Sequence, residues 1–304
     1  MNTAAVLLIA LLLDAALGEP KWLWSRLPHP AVLMGRAVAA LDRHLNKGSM
    51  GILRGLFAIT TLMGGAYLIG YVLSLAGPIV EIILAAILLA HRSLVQHVAA
   101  VASGLRTSVE DGRNAVAMIV SRDTSAMDQS ATTRAAIESA AENMSDGVIA
   151  PAFWFLIGGL PALMVYKIVN TADSMIAYRT PKYEQFGKAA ALMDDALNLI
   201  PARLTCWLIA IPAGVLGQWR EIGTDARQHR SPNAGWPEAA MARAIGVALA
   251  GPRAYDGQMQ EFPWVGGAGT RHAGPTDIDA ALGKLWQAWG IFLGLTLALA
   301  QFGY

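Results

Sequence analysis

Charged residues are scarce in this chain. Asp, Glu, Lys and Arg make up 15% of its 304 residues, whereas ordinary soluble domains carry about 25%. With 55% hydrophobic residues, a soluble fold of this length has too little interior to bury the apolar surface. We therefore predict an integral membrane protein. The net charge of +1 and the lack of a basic run give no indication of nucleic-acid binding.

Cysteine is also nearly absent. The single Cys206 excludes an internal disulfide and a metal site made of cysteines alone. Its setting, TCWLIAIPAG, favours a small buried hydrophobe over a nucleophile. The patterns HExxH, GxSxG and GxxxxGK[ST] are missing, so zinc hydrolysis, ordinary serine esterase chemistry and a P-loop have no support.

Apolar segments dominate what is present, and one crossing of a bilayer needs about 20 apolar residues. The second segment is long enough for two helices, with a break at Gly77-Pro78. The third segment is either one crossing or a hairpin that turns at Gly158 to Pro161. The fourth segment either spans the membrane or is re-entrant. We expect four to six spans. The segments are approximately residues 4–17, 56–90, 148–169, 204–216 and 288–300.

The N-terminal segment is predicted to be a retained membrane helix rather than a signal peptide. It has no positive n-region, and Gly18-Glu19-Pro20 stands where a cleavage site would lie. Residues 21–54 then carry six basic residues against one acidic residue, Asp42. The positive-inside rule places this loop in the cytoplasm and the N-terminus outside.

Three polar segments, 91–147, 170–203 and 218–287, are expected to carry the site within one integral membrane domain covering 1–304. Residues 91–146 predict two or three amphipathic helices. We expect residues 170–203 to be mostly helical, with breaks at Pro181 and Pro201, and residues 230–274 to form a long Gly/Pro-rich loop. The predicted fold class is all-α: a polytopic helical membrane protein with amphipathic interfacial helices.

The segment ESAAENMSDGVIAP holds the first polar cluster. On a helix, Glu138, Glu142 and Asp146 share one face, with Asn143 beside them. Such a stripe of carboxylates is stable when it is solvated, paired with cations or bound to a metal. Because it runs directly into an apolar segment, where unpaired charge is costly, we favour a functional site over a solvated stripe.

The segment KIVNTADSMIAYR holds the second cluster, in which Asn170, Asp173 and Ser174 share a helical face. These hard oxygen ligands suit Mg²⁺ bound through phosphate. Helix capping at a membrane boundary is the alternative.

The segment MDDALNLIPARL pairs Asp194 or Asp195 with Asn198, and Arg203 follows Pro201, which is predicted to break the helix. Arg203 is either part of a salt bridge or a fork for phosphate or carboxylate.

Two further segments carry candidate binding residues. In SPNAGWPEAAMA, Ser231, Asn233 and Gly235 precede a predicted helix, an arrangement suited to anions. His29 lies between two prolines, which fix its backbone, with Arg36 beyond. A single histidine at a membrane interface is more often structural than catalytic, although the fixed backbone would help a positioned contact.

Together these segments resemble the CobD/CbiB family, the membrane-bound adenosylcobinamide-phosphate synthases of cobalamin biosynthesis. The resemblance covers nearly the whole chain in the expected order, and it departs at Gly18-Glu19-Pro20, where Gly-Asp-Pro is expected. The carboxylate is kept. The resemblance rests on the segments LLLDAALGEP, LPHPAVLMGR, ESAAENMSDGVIAP, NTADSMIAYR, YEQFG, DDALNLIPARL, SPNAGWPEAAMA and GPRAY.

The resemblance implies ATP-dependent amide formation between adenosylcobyric acid and (R)-1-aminopropan-2-ol or its phosphate. The implied co-reactants are ATP and Mg²⁺. It further implies a multi-pass protein of the inner or plasma membrane, with its site facing the cytoplasm. A homo-oligomer, or a complex with other cobalamin-assembly enzymes, is compatible with it.

For that reaction we assign hypothetical roles to the clusters. Asp146, Asp173 and Asp194 or Asp195 would hold Mg²⁺ and phosphates, and Arg203 would neutralise developing negative charge. Glu142 would take the proton from the incoming ammonium. The expected substrate-binding residues are His29, Arg36, Asn143, Asn170, Ser174, Asn198, Ser231 and Asn233.

Two alternatives remain open. A membrane prenyltransferase also holds Mg²⁺-diphosphate with Asp and Asn at helix ends. A corrinoid transporter is suggested by the broken apolar segments. A transporter should place charge inside its spans, but here Asp14 and Glu81 are the main acids within them, and most polar clusters lie outside.

Overall fold

The computed structural model describes residues 1–255 and 258–303. This part of the chain is mainly helical, with only four short strands, which confirms the predicted all-α class. The helices are α1 (Thr3–Leu17), α2 (Lys21–Trp24), α3 (Pro30–Leu45), α4 (Gly51–Ser74), α5 (Pro78–Leu88), α6 (His91–Thr107), α7 (Val109–Val116), α8 (Gln129–Met144), α9 (Ala150–Ile176), α10 (Lys188–Ala210), α11 (Trp219–Ala226), α12 (Gly235–Ile245) and α13 (Pro275–Gln301).

Short irregular elements complete the description. A π-helical turn, Ser145–Ile149, joins α8 to α9, and a 3₁₀ turn, Leu216–Gln218, precedes α11. The strands form two antiparallel pairs, β1 with β4 and β2 with β3. Their bounds are β1 (Leu249–Ala250), β2 (Arg253–Tyr255), β3 (Gln258–Gln260) and β4 (Trp264–Val265).

The chain folds as two compact units. That they belong to one membrane domain stays a prediction. Unit 1 comprises Met1–Ala90, Ala150–Asn198 and Leu295–Tyr304, and unit 2 comprises His91–Ile149 and Leu199–Gly294. Unit 1 contains most of the apolar segments. Unit 2 contains most of the polar ones.

Four helical stretches are long and apolar enough to cross a membrane, within the predicted range of four to six. At 15 residues, α1 is shorter than these. The four stretches are Gly51–Ser74, Pro78–Thr107, Gln129–Ile176 and Pro275–Gln301.

In unit 1, α4 packs closely against α9 through a glycine. A Cβ atom on Gly70 would lie 2.7 Å from the Cα atom of Pro161, so only glycine allows this approach. The predicted break at Gly77-Pro78 is confirmed, because α4 ends at Ser74 and α5 begins at Pro78. The third apolar segment is also interrupted as its glycines suggested: Gly158 and Gly159 form a kink within α9, with Gly159 at φ 63°.

Helix α10 contradicts one prediction, because it runs through Pro201 without ending. Proline has no N–H for the carbonyl four residues earlier, which here belongs to Leu197. The indole Nε1 of Trp154 donates to that carbonyl oxygen at 3.0 Å. The helix continues because a side chain from α9 replaces the missing backbone hydrogen bond.

In unit 2, the predicted amphipathic helices of the segment 91–146 are present as α6, α7 and α8. Helix α8 buries its small residues against α6, α7 and α12, and it also contacts β1. The chain leaves α8 through the π-helical turn, which widens the backbone at Ser145–Ile149. Single π-turns of this kind are frequent at functional sites.

Candidate functional site

Unit 2 contains a cavity of about 320 Å³ beside α8. One wall comes from α8 and the residues that precede it, and another from the residues that follow α11. The segment leading into β4 completes the lining. Charged groups of both signs line it: Arg122, Glu138, Glu142, His229, Arg230 and Glu238.

Glu138 ties this cavity to the neighbouring strand. Its Oε2 accepts from Nη2 of Arg122 at 2.8 Å, and its Oε1 accepts from the backbone N–H of Ala250 at 2.8 Å. Both side chains of the ion pair are about nine-tenths buried. Ala250 has φ 57°, a left-handed conformation that costs free energy for a residue other than glycine. The Glu138 carboxylate therefore stabilises a strained residue in the cavity wall.

His229 and Glu238 form a second polar pair in the lining. The backbone N–H of Ser231 donates to Nδ1 of His229 at 3.0 Å, which fixes the ring. Because Nδ1 accepts, a neutral ring carries its proton on Nε2, which faces Glu238 Oε1 at 3.7 Å. The Glu238 carboxylate is buried and lies next to a group that can become cationic.

The first polar cluster is only partly arranged as predicted. Glu142 and Asn143 do line the cavity, and both are exposed. Asn143 Nδ2 donates to the carbonyl oxygen of Ser139 at 2.9 Å. Glu138 is buried and paired with Arg122, and pairing with a cation is one of the three arrangements expected for such a stripe. Asp146 lies in the π-helical turn and is half-buried.

Unit 1 joins parts of the second and third clusters. Asn198 Nδ2 donates to Asp194 Oδ2 at 3.0 Å, and Asn170 Nδ2 approaches Asp194 Oδ1 at 3.3 Å. The hydroxyl of Tyr166 donates to Asn198 Oδ1 at 2.9 Å, which fixes the amide orientation. Burial raises the pKa of Asp194 to about 6, against the opposing effect of the two amide donors. The predicted acid–amide pairing of Asp194 and Asn198 is thus present.

The remaining residues of these clusters are less enclosed. Asp173 and Asp195 are half-buried, and burial raises the pKa of Asp195. Ser174 is exposed, and its hydroxyl donates to the carbonyl oxygen of Asn170 at 2.9 Å. Within residues 1–255 and 258–303, no group of three or more His, Cys, Asp or Glu side chains is placed to hold a metal ion. That all the predicted acids meet at one magnesium centre stays a prediction.

Arg203 is occupied by the segment that precedes α12. Its Nη1 donates to Asn233 Oδ1 at 2.7 Å and its Nη2 to the carbonyl oxygen of Pro232 at 3.1 Å. The guanidinium also lies over the Trp236 ring. The Ser231 hydroxyl accepts from the backbone N–H of Asn233 at 3.1 Å. Arg203 and Ser231 therefore both bond to Asn233, in contacts that order this turn. Binding of phosphate or carboxylate by Arg203 stays a prediction.

His29 begins α3. Its Nδ1 accepts from the backbone N–H of Ala31 at 3.2 Å, so the side chain acts as an N-cap. Burial lowers the pKa of His29, against the raising effect of Glu19. Arg36 is exposed on the same helix. The N-cap contact is structural, and substrate binding by His29 stays a prediction.

Comparison with known proteins gives a consistent answer over almost the full length. The profile of the family described as CobD/Cbib protein matches residues 7–285. The chain belongs to the CobD/CbiB family. A relative named "Cobalamin biosynthesis protein CobD" from Brucella suis is 48% identical, covering 98% of this chain and 97% of its own length.

Other CobD/CbiB relatives with the same name agree. The one from Rhizobium meliloti is 47% identical over 97% of this chain and 95% of its own length. The one from Rhodobacter capsulatus is 42% identical over 98% and 97%, respectively. No solved structure matches this chain.

Several residues of the cavity in this CobD/CbiB chain were missed from the sequence. Arg122 lies in a loop 16 residues before its partner Glu138, where no periodicity links the two. His229 and Arg230 follow α11 without a motif. Glu238 did carry a signal, because it is the one charged residue in GWPEAAMA, a segment of small and apolar residues. A lone acid in such a helix is typical of a buried functional or paired group.

Proposed function

We propose that this protein is an enzyme of cobalamin biosynthesis that forms an amide bond in an ATP-dependent reaction. Its substrates would be adenosylcobyric acid and (R)-1-aminopropan-2-ol or its phosphate, and its product adenosylcobinamide or its phosphate. Membership of the CobD/CbiB family supports the pathway. The observation that carries the chemistry is the unit 2 cavity, because it combines Glu142, Asn143 and cationic groups.

The reaction requires an activated carboxyl group. The propionate oxygen of the corrinoid attacks the γ-phosphorus of ATP, and ADP leaves. The amine nitrogen then attacks the acyl carbon, so that a C–N bond forms and the C–O bond to phosphate breaks. Inorganic phosphate leaves with the bonding electron pair. The ammonium proton passes to a base, for which Glu142 is the proposed group because it is a solvent-accessible carboxylate in the cavity lining.

The implied Mg²⁺ can be tested against the acid–amide cluster of unit 1. A Mg²⁺ ion bound with phosphates uses one or two protein carboxylates, so a set of three is not required. Asp194 fits such a ligand, since its two oxygens are oriented by Asn170 and Asn198. Asp173 and Asp195 are the further carboxylates proposed for unit 1, and Asp146 the one for unit 2. When bound, the ion would neutralise charge on the transferred phosphoryl group.

Magnesium binding has a readout that is independent of turnover. A ligand that binds the folded state alone raises the free energy of unfolding. We expect Mg²⁺ to raise the melting temperature of the wild type above about pH 6, where Asp194 is ionised. The Asp194→Asn variant should not respond. An equal Mg²⁺ effect on both proteins would remove Asp194 from the proposed ligands.

The proposed function is tested with membranes containing this protein. They are incubated with adenosylcobyric acid, aminopropanol or its phosphate, ATP and Mg²⁺, and the corrinoids are analysed by mass spectrometry. We expect the mass of the amide, with one ADP formed per product. Glu142→Gln should lower turnover by at least about a hundredfold, whereas Glu221→Gln, an exposed acid on α11, should not. An unchanged corrinoid in the wild-type reaction would refute the proposal.

A further inference from the structure

The fourth apolar segment, at the end of α10, reverses its direction. Helix α10 ends at Ala210, and the backbone N–H of Val215 donates to the Ala210 carbonyl oxygen at 3.1 Å. Gly214 lies between them with φ 70°, a left-handed conformation that glycine adopts at little cost. This combination of hydrogen bond and left-handed glycine closes the helix and turns the chain back.

Three tryptophans show that the two arms of this turn lie side by side within unit 2. The ring centres of Trp207 on α10 and Trp219 at the start of α11 are 5.8 Å apart. The Trp219 ring lies 5.1 Å from the Trp236 ring, and the Arg203 guanidinium lies 4.9 Å from the centre of Trp236. Arg203 and Trp207 are one helical turn apart on α10, so the returning chain packs along the arm that it left.

The outgoing arm is too short to cross a bilayer. The helical residues 204–210 rise by about 10 Å, whereas the hydrocarbon core of a bilayer is about 30 Å thick. After these residues the chain turns back, because Trp219 already lies beside Trp207. The segment therefore reaches into one leaflet at most.

The turn presents an uncharged apolar tip. Residues 204–219 include no Asp, Glu, Lys, Arg or His. Three large apolar side chains of this segment, those of Trp207, Ile211 and Leu216, are 50%, 51% and 43% exposed. Tryptophan prefers the headgroup level of a membrane, and aliphatic side chains prefer the acyl chains below it.

Arginines flank the tip on both sides and indicate what covers it. Arg203 precedes the segment, and Arg220 follows it and is exposed, as is Arg227 further along. A second copy of this chain would bring the same cations to the contact, where they would repel each other. The phosphates of lipid headgroups would instead attract them. The charges around the tip therefore favour a lipid bilayer over a second copy.

We propose that residues 204–219 form a re-entrant loop that inserts into one leaflet of the bilayer and returns to the side from which it entered. The proposal concerns attachment to the membrane and does not depend on the proposed function. The turn can enter the interface because the N–H groups of Ile211, Gly214, Val215 and Gln218 all donate within the segment. Helices α11 and α12 then lie on the same side of the membrane as the start of α10.

Spin labels test the insertion. A nitroxide is attached to Ile211→Cys, and the full chain is reconstituted into phospholipid vesicles. We expect this label to collide more with oxygen, which dissolves in the acyl chains, than with a water-soluble nickel chelate. Thr224→Cys, at an exposed polar residue of α11, is the control and should show the reverse order. One label per chain shows that the variants are folded, since the native Cys206 is fully buried.

Each other result contradicts the proposal. Equal access of the nickel chelate to both labels would place the tip in water. A label at Ile211→Cys that neither reagent reaches would show that protein covers the tip. A label depth near the centre of the bilayer, instead of about 10 Å or less below the phosphates, would indicate a crossing.

Sidedness provides a second test. Helix α10 lies outside the four candidate spans and begins at the exposed Lys188, so this residue marks the side of entry. Lys188→Cys and Thr224→Cys are each treated with a membrane-impermeant maleimide in intact and in permeabilised cells. We expect the two variants to give the same pattern. Labelling of one variant in intact cells and of the other only after permeabilisation would overturn the proposal.

Discussion

At the scale of single residues, the Arg122–Glu138 pair should matter more for stability than an exposed ion pair does. Both side chains are largely buried, and Glu138 also accepts from the backbone of Ala250. Removal of one partner leaves a buried charge without compensation, which costs about 3–5 kcal/mol. The pair should therefore be sensitive to single substitutions and less so to joint replacement.

We expect Glu138→Ala to lower the free energy of unfolding by about 3–5 kcal/mol. Arg122→Ala should cost less, because Glu138 keeps its bond to Ala250. The double variant should be more stable than the sum of the single losses predicts. Chemical unfolding in detergent of all four proteins measures this cycle, and strict additivity would show that the two groups do not interact.

Asp194 makes stability depend on pH. It lies outside the four candidate spans, and its pKa is raised from 3.8 to about 6 by burial. The folded protein therefore holds a proton that the unfolded chain has lost. The contribution of Asp194 to stability is fully present below about pH 4 and is lost as the pH rises to about 6. The difference between these two pKa values corresponds to about 3 kcal/mol.

The measurement compares unfolding of wild type and Asp194→Asn without Mg²⁺ across this range. The difference between the two profiles should change between about pH 4 and pH 6 and stay constant above it. A difference that does not vary with pH would show that Asp194 titrates normally.

Residue patterns in the sequence predicted those contacts that lie within one helix or next to one. The spacing of Asp194 and Asn198 is one helical turn, so their bond follows from the sequence alone. Tyr166, which orients Asn198 from α9, lies 32 residues away. No local pattern connects them, because only the packing of α9 against α10 brings the two side chains together.

At the scale of helices, the close approach of α4 to α9 depends on Gly70. We expect Gly70→Ala to lower the free energy of unfolding by about 1–3 kcal/mol, because the added methyl group would meet the backbone of Pro161. Gly64 and Gly65 lie on the same helix with no atom within 4 Å of an added Cβ. Gly64→Ala should be neutral or stabilise the helix by up to about 1 kcal/mol. Equal losses in both variants would mean that the approach is not tight.

A second prediction for helices concerns the hydrogen bond from Trp154 to the Leu197 carbonyl oxygen in α10. Trp154→Phe should cost about 1–3 kcal/mol, because the Leu197 carbonyl loses its donor. Adding Pro201→Ala should recover part of this loss, since alanine restores the N–H four residues further along. Trp207→Phe, at a half-exposed tryptophan of the same helix α10, should cost less. Failure of Pro201→Ala to improve Trp154→Phe would contradict this account of α10.

The predicted helix breaks at two prolines, Pro78 and Pro201, had different outcomes. At Gly77-Pro78 glycine adopts φ 95° and the chain turns, as the dipeptide predicts. At Pro201 the same rule predicts a helix end, and the prediction is wrong because a tryptophan from α9 supplies the missing donor. A local rule holds where no distant side chain compensates for it.

At the scale of the whole molecule, composition predicted the class of protein but not its division. Low charge and long apolar segments are sufficient to predict a helical membrane protein, and four candidate spans are present. The two units are assembled from alternating parts of the chain. Unit 1 takes Met1–Ala90, Ala150–Asn198 and Leu295–Tyr304, and unit 2 takes His91–Ile149 and Leu199–Gly294. Hydrophobicity read along the chain does not indicate which separated segments pack together.

The orientation of the chain in the membrane is the remaining prediction at this scale. Residues 21–54 carry six basic residues and one acidic residue, so we expect the loop between α3 and α4 to face the cytoplasm. Ser49 is exposed in this loop and lies directly before the candidate span Gly51–Ser74. Ser49→Cys should therefore react with a membrane-impermeant maleimide in permeabilised cells and remain unlabelled in intact cells.

The wild type is the control for this experiment, because its single Cys206 is buried and should stay unlabelled in both samples. The same charge asymmetry leads to a prediction for ATP. If α3 and its flanking basic residues face the cytoplasm, ATP meets the protein on the side where it is made. Labelling of Ser49→Cys in intact cells would place this loop outside, and the proposed use of cytoplasmic ATP would then require the site to lie on the opposite side of the membrane from residues 21–54.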